Sequence, residues 1–219
     1  MKTLAIIGGT GRVGQQVIKQ ALALGYQLNV LARDPAKVES HERINVIKGD
    51  AKDPQILDKL LTGANAVIST LGPAGMNSSL KLAKAAAKDF VSTNSTRAIL
   101  PLMEKHGINR FVLSGGASLQ HPDDCNNFFT HLLLTKLAPK ILGDMCLDRE
   151  QEFELLLSSK MNFTIARAAK LDDAYPKTPL KTSHTKFQGG NVSIHSLAKF
   201  LVEQVQDQNY FGKAVYVAN

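Results

Sequence analysis

Three glycines near the start of the chain, Gly8, Gly11 and Gly14, are spaced by three residues in Leu4-Ala5-Ile6-Ile7-Gly8-Gly9-Thr10-Gly11-Arg12-Val13-Gly14. That spacing suits contact with a polyphosphate. The first glycine lets the chain turn sharply, the second lets backbone N–H groups close on a pyrophosphate, and the third lets a following helix pack tightly on the sheet. A helix starting there aims its free N–H groups and the positive end of its dipole at the phosphates. Arg33 stands in Leu31-Ala32-Arg33-Asp34, where a second strand would end. In NAD-preferring sites an acidic side chain near this place bonds the ribose 2′-hydroxyl, whereas a guanidinium suits a 2′-phosphate in geometry and charge. The residues therefore point to NADP(H), with Arg33 on the 2′-phosphate. The plain alternative is a strand-to-helix turn followed by a surface arginine next to Asp34.

These groups need a strand, a turn and a helix in that order, and the flanking sequence supplies them. Leu4 to Ile7 is a continuous apolar run. Val13, Val17 and Ala21 recur every four residues, with Ile18 and Leu22 beside them, as a core-facing helix requires. Gly25 stops that helix and Leu28–Leu31 begins a second strand. Ile44–Ile47 reads as a third strand, ending at Gly49-Asp50. Asp53 and Pro54 then read as the N-cap and first turn of a helix that buries Ile56, Leu57, Leu60 and Leu61. Ala66–Gly72 reads as a fourth strand, whose final turn at Leu71-Gly72-Pro73 should lie over the cofactor, because ligands gather at the carboxyl ends of such strands.

Two helices are expected next. One spans Ser78–Lys88 with Leu82 and Ala86 as its core pair. The other spans about Asn94–His106 with Ile99, Leu102 and Met103 inward, and a kink or break at Pro101. Arg110–Ser114 reads as the fifth strand. Residues 119–147 then break the alternation. A polar loop at His121–Asp124 leads into an apolar run, Phe128–Leu134, that continues to Pro139. This run is either a helix sunk in the core or a hydrophobic cover beside the nicotinamide, able to accept a flat apolar substrate. Asp148–Ser159 is expected to be a helix with Phe153, Leu156 and Leu157 inward, and Asn162–Ala166 the sixth strand. The remainder reads as a loop-like stretch (Pro176–Lys186), an extended Asn191–Ile194, and a helix capped by Ser193 that buries Leu197, Phe200, Leu201 and Val205. Val215–Val217 is then the strand that closes the sheet. The expected fold is α/β: one doubly wound, Rossmann-like domain over residues 1–219, with a parallel sheet, helices on both faces, and substrate-side elaborations at 119–147 and 168–195.

Composition agrees with such a domain. The chain has 219 residues, 44% hydrophobic and 21% charged, an ordinary globular balance. Its net charge of +7 is scattered along the sequence without a basic run, and there is no Trp. One anion-binding cleft on a basic surface accounts for that charge, so neither nucleic acid nor a membrane is expected as partner. The partner expected is a small-molecule acceptor, and a homo-oligomer is left open. No apolar run approaches a membrane span, and no long apolar core marks a signal peptide, so a cytoplasmic protein is expected. Cys125 and Cys146 lack C-x-x-C spacing and read as reduced thiols. The six histidines have no metal-binding spacing.

Taken together, the Gly8/Gly11/Gly14 turn, Leu31–Asp34, Gly49-Asp50, Leu71-Gly72, Phe111–Ser114, Phe163–Arg167 and Leu171–Asp173 resemble the atypical short-chain dehydrogenase/reductase superfamily. The match is to its small NAD(P)H-binding group that includes biliverdin reductase B, also called flavin reductase. The resemblance covers nearly the whole chain. It implies that Thr10, Gly11, Arg12 and Val13 hold the pyrophosphate, that Arg33 meets the 2′-phosphate and that Asp50 reaches the adenine. It further implies that Leu71 and Gly72 line the cofactor, that Ser114 lies near the nicotinamide, and that Lys170 stands where substrate enters. The chain also departs from the superfamily. The usual Tyr-x-x-x-Lys pair is absent, since Tyr26, Tyr175, Tyr210 and Tyr216 all lack a lysine four residues on. Ser114 is followed by Gly115-Gly116, and Ala168 stands where the group has proline. The implied activity is NADPH-dependent reduction of a flat conjugated acceptor such as a flavin, a quinone or a biliverdin-like molecule. The missing tyrosine pair fits such an acceptor, because an extended π-system needs less help from a fixed acid, and the resemblance implies Ser114 and Lys170 as the catalytic residues. The alternative is an NADP(H)-sensing regulator of NmrA type without turnover.

Overall fold

Strand β1 (Thr3–Ile7) is apolar from Leu4 onward, and those four residues are at most 1% exposed. A strand buried on both faces belongs inside a parallel sheet. The computed structural model, which describes residues 2–75 and 79–219, has it there. Helix α1 (Arg12–Ala23) buries Val13, Val17, Ile18 and Ala21, as the four-residue repeat requires, and stops before Gly25, whose φ of +82° suits glycine. Strands β2 (Gln27–Ala32) and β3 (Ile44–Lys48) add in parallel on one side of β1. Helix α2 (Pro54–Leu61) starts where Asp53 accepts from the Gln55 and Ile56 N–H groups, and returns the chain to β4 (Ala66–Ser69) on the other side. The chain thus reverses its direction of growth between β1 and β4, which leaves a crevice at their carboxyl ends.

Helices α3 (Leu80–Ala87) and α4 (Val91–Lys105) lead into β5 (Arg110–Gly116). A short helix α5 (Phe128–Leu132), a π-helical turn (Leu133–Leu137) and α6 (Ala138–Leu142) run together before α7 (Asp144–Leu157) and β6 (Asn162–Ala168). Strand β7 (Lys170–Asp172) pairs with β9 (Asn191–Ser193) in a small separate ribbon. Strand β8 (Lys181–Ser183), helix α8 (Ile194–Glu203) and β10 (Lys213–Ala218) complete the chain. The main sheet has the order β3-β2-β1-β4-β5-β6-β10-β8 and is parallel except for β8. Helices α1 and α8 bury their apolar sides on one face, and α2, α4 and α7 on the other. This is the expected doubly wound, Rossmann-like domain.

Several local expectations are corrected. The start of α3 expected at Ser78 lies outside the described residues. Its buried pair is Ala83 and Ala87, whereas Leu82 is 56% exposed; small side chains let the helix lie close against Leu142 and Met145. Helix α4 begins at Val91 instead of Asn94. Its cap comes from across the fold: the Asp148 carboxylate of α7 accepts from the Ser92 and Thr93 N–H groups at 3.1 and 2.8 Å. It also runs through Pro101 without a break, with Pro101 on an exposed side. In α7, Phe153 and Leu156 face inward but Leu157 is exposed; Asp148 and Glu152 are buried instead, because both bind α4. Strand β4 ends at Ser69, which leaves Thr70–Gly72 as turn. The loop-like stretch holds β8, so β10 is an interior strand and β8 the edge. Lys181-Thr182-Ser183 has no apolar alternation to mark it as a strand.

The loop between β5 and α5 is anchored partly by His121. Its Nδ1 accepts from the Asp123 N–H at 3.1 Å and its Nε2 donates to the Gly212 carbonyl at 3.3 Å, a neutral tautomer. Burial holds the His121 pKa below the usual histidine range. The hydrogen bond to the Gly212 carbonyl opposes that shift, as do Asp123 and Asp124, while Arg167 adds to it. The unfolded chain therefore takes up this proton more readily than the folded one. The stabilising effect of neutral His121 is complete above about pH 6.5 and fades as the pH falls through the folded value. Urea midpoints should drop between neutral pH and about pH 5.5, and His121→Gln should make that drop smaller. An unchanged slope would remove His121 from the pH response.

Candidate functional site

A cleft of about 960 Å³ lies along the carboxyl ends of the central strands. Its floor is the β1–α1 turn. Gly8 has φ +81°, and a Cβ there would lie 2.8 Å from Thr70 Oγ1. The Thr70 hydroxyl donates toward the Gly8 and Ile7 carbonyls at 3.1 and 3.3 Å, and Gly11 N–H donates to the Gly8 carbonyl at 3.0 Å. A Cβ on Gly14 would fall 2.1 Å from the Gly8 oxygen, so only glycine lets α1 start this close to the strand. No side chain caps the α1 N-terminus and its first turn holds no acid. Its amides are left to an anion.

The expected cofactor residues are brought together on this cleft: Gly8, Thr10, Gly11, Arg12, Val13, Arg33, Asp50, Leu71 and Gly72 all line it, and Gly14 packs beneath. Ser114 and Lys170 line its other half. Arg33 is exposed at the end of β2. Asp50 accepts from the Lys52 N–H at 2.9 Å, and Lys52 adds a second cation at the neighbouring strand end. Five cationic side chains (Arg12, Arg33, Lys52, Arg149 and Lys170) and two acids (Asp50 and Asp89) line the cleft; Arg12 and Arg149 are paired with Asp173 and Glu152, while Arg33, Lys52 and Lys170 have no ion pair among the described residues, a field suited to an anionic dinucleotide. Arg12 has a further contact: its Nη1 reaches both Asp173 oxygens, at 2.9 and 3.0 Å, while its buried Nε has no partner. The polar atoms, the glycine cradle and the charge all fit a dinucleotide.

Some cleft residues had no sequence signal. Arg149 of α7 donates to the Leu71 carbonyl and to Glu152, and so ties α7 to the turn after β4. Its only local sign is its spacing on a helix. Cys146 sits beside Ser118, with Sγ 3.2 Å from Oγ; burial pushes its thiol pKa up, which keeps it neutral. The Phe128–Leu142 segment is neither a core helix nor wholly a cover. Leu133, Leu134, Ala138 and Leu142 line the cleft, while Phe128 and Phe129 are 74% and 80% exposed. No tyrosine or histidine is among the described lining residues.

The fold and the glycine cradle define a dinucleotide-binding α/β protein. The profile of the NAD(P)H-binding family matches residues 8–208, and the chain belongs to that family. Its cofactor is NAD(P)H. Among solved structures, a short-chain dehydrogenase/reductase from Veillonella parvula in complex with NADP superimposes with a TM-score of 0.76 at 19% identity, covering 100% of this chain and 94% of that one. ChuY, an anaerobillin reductase from Escherichia coli O157:H7, does so at 0.78 and 17%, covering 100% and 97%. Photosystem II assembly factor Ycf39 of Trieres chinensis is 41% identical over 70 residues, 31% of this chain and 22% of that protein. The chain spans less than a third of the length of such curated relatives. No helix among the described residues is long and apolar enough to cross a membrane.

Proposed function

We propose that the protein is an NADPH-dependent reductase of a flat conjugated acceptor: a flavin, a quinone or a biliverdin-like tetrapyrrole. One observation carries the reading. The half of the cleft away from the glycine turn is walled by Leu133, Leu134, Ala138, Leu142 and Phe187, with no tyrosine or histidine among its described lining residues. Reduction of a simple carbonyl needs a positioned acid, whereas an extended π-system spreads the incoming charge and needs less. A bound nicotinamide would supply hydride, and the protein supplies position and field. The turn from Gly8 to Gly14, with Thr10, Arg12 and Val13, binds the pyrophosphate. Arg33 binds the 2′-phosphate, Asp50 the adenosine side, and Leu71 and Gly72 line the ring path. Ser114 orients the reacting end, and Lys170 stabilises negative charge on the acceptor. The reductase named for the ChuY neighbour supports this class of chemistry.

The experiment is NADPH oxidation by the purified protein with FMN, FAD, a benzoquinone, a naphthoquinone and biliverdin, with NADH in parallel. Turnover of at least one acceptor with NADPH preferred is expected. NADPH binding without turnover of any of them would overturn the reductase reading in favour of an NADP(H) sensor. Arg33→Ala is expected to weaken NADPH binding by about tenfold, the lower end for a hydrogen bond to a charged group, and to leave NADH binding unchanged. Equal losses for the two cofactors would remove Arg33 from the 2′-phosphate.

A further inference from the structure

The segment that walls the cleft turns a neighbouring face to solvent, and Leu133 stands at the border of the two. Along α5, the π-helical turn and α6, eight of the exposed residues fall in two adjacent rows at intervals of four: Phe129, Leu133, Leu137 and Ile141 in one, and Phe128, Leu132, Lys136 and Lys140 in the other, with exposed His131 beside them. The six apolar members are between 45% and 80% exposed. A continuous stripe of this kind marks an interaction surface. From Cys125 to Gly143 the sequence contains no Asp or Glu, and neither Lys136 nor Lys140 forms an ion pair among the described residues.

We infer that this stripe docks on the surface of an anionic lipid bilayer. An interfacial helix has Phe and Leu on one side and lysines at the border, and lies in the plane of the headgroups without spanning. No described helix is built to span, so binding here is peripheral. Charge decides between a bilayer and a second copy of the chain. A twofold pairing of the stripe gathers Lys136 and Lys140 of both copies into one interface. The segment carries no acid to meet them, and the acids of the preceding loop are engaged: Asp123 by Lys213 and Asp124 by Arg167. An anionic surface offers both lysines a counter-charge, and the net charge of +7 adds long-range attraction. Composition gave no reason to expect a membrane partner; the folded surface does.

The placement also bears on substrate. Leu133 belongs both to the stripe and to the cleft wall, which continues through Leu134, Ala138 and Leu142. With the stripe in the headgroup layer, an acceptor dissolved in the bilayer meets an apolar wall at the cleft. A lipophilic quinone then becomes the favoured member of the acceptor class. This last step rests on the reductase reading; the docking surface does not.

The test is co-sedimentation of the full chain with phosphatidylcholine vesicles with and without phosphatidylglycerol, at low and high salt, with no cofactor or acceptor present. Failure there is therefore distinct from failure of the reductase assay. Sedimentation with the anionic vesicles, weakened by salt, is expected. Phe128→Ser/Phe129→Ser should weaken it by at least about tenfold, since each ring loses apolar burial. Lys136→Gln/Lys140→Gln should weaken it by about fivefold per lysine. Neither pair lines the cleft, so NADPH fluorescence and melting temperature should stay as in the wild type and report that the variants are folded. Wild-type protein that stays in the supernatant overturns the proposal, as does a double phenylalanine variant that binds like wild type. So does a wild-type dimer that ignores vesicles and dissociates on Phe128→Ser/Phe129→Ser, because the stripe is then a self-interface.

Discussion

Arg167→Met is expected to lower folding stability by about 3–5 kcal/mol, the range for breaking a buried ion pair from one side. The Arg167 side chain is fully buried. Its Nη1 donates to the Leu119 carbonyl and to Asp124 Oδ2, and its Nη2 to Asp124 Oδ1, all at 2.8 Å. The guanidinium also lies 3.5 Å above the Tyr216 ring. Asp124 accepts two further bonds, from the Tyr216 hydroxyl at 3.1 Å and the His121 N–H at 3.0 Å. Burial pushes the Tyr216 pKa up to about 12, so that hydroxyl remains a donor. Methionine matches much of the arginine stem but leaves the Asp124 carboxylate buried without its cation, and that uncompensated charge is the main loss. Arg167→Met/Asp124→Leu should therefore recover part of the stability, because it removes both charges together. Urea midpoints for the two single variants and the double close the cycle. A loss below about 1 kcal/mol for Arg167→Met would mean that the pair is solvated and does not hold the loop.

That network shows why part of the molecule could be read from its sequence and part could not. The central strands are long apolar runs, and α1 repeats its core residues every four positions. Both signals are local, and both elements appear where periodicity puts them. The glycine turn was legible for a similar reason: its demands on the backbone are met by residues adjacent in sequence. Arg167 was visible only as part of a family-like segment, because its partners Asp124 and Tyr216 lie 43 and 49 positions away. The early start of α4 was illegible because its cap, Asp148, belongs to α7. Arg149 escaped for the same reason, since its meaning depends on the Leu71 carbonyl. The run from Phe128 to Leu142 left two readings open, a core helix or a cover over the cleft, and only part of it is a cover. Its hydrophobicity suggested burial, but hydrophobicity alone does not say whether both sides of a helix are covered, and here one is not. Strand β8 is polar at a sheet edge, where only a single neighbour, β10, imposes the extended form.

Gly14→Ala is the second substitution with a large expected effect, and it separates the structural from the ligand-binding work of the glycine turn. The added Cβ would stand 2.1 Å from the Gly8 oxygen, 2.7 Å from Gly9 Cα and 2.8 Å from Gly8 C. All three are backbone atoms, so no side chain can rotate away; α1 must lift off the strand or the turn must open. Overpacking of this kind costs about 1–3 kcal/mol. Either movement also shifts the first-turn amides from the place where a pyrophosphate would sit. Loss of two charge-assisted hydrogen bonds at about 1.5 kcal/mol each corresponds to about a hundredfold weaker NADPH binding. Gly11 is the control. A Cβ there meets only the Gly8 oxygen, at 3.3 Å, a milder contact than any at Gly14, and Gly11 itself lines the cleft. Gly11→Ala should therefore weaken NADPH binding with a much smaller drop in the melting temperature of the free protein than Gly14→Ala. Gly14→Ala should lower both. If the two variants bind NADPH as wild type does, the cofactor does not lie on this turn, and the cleft must hold it elsewhere.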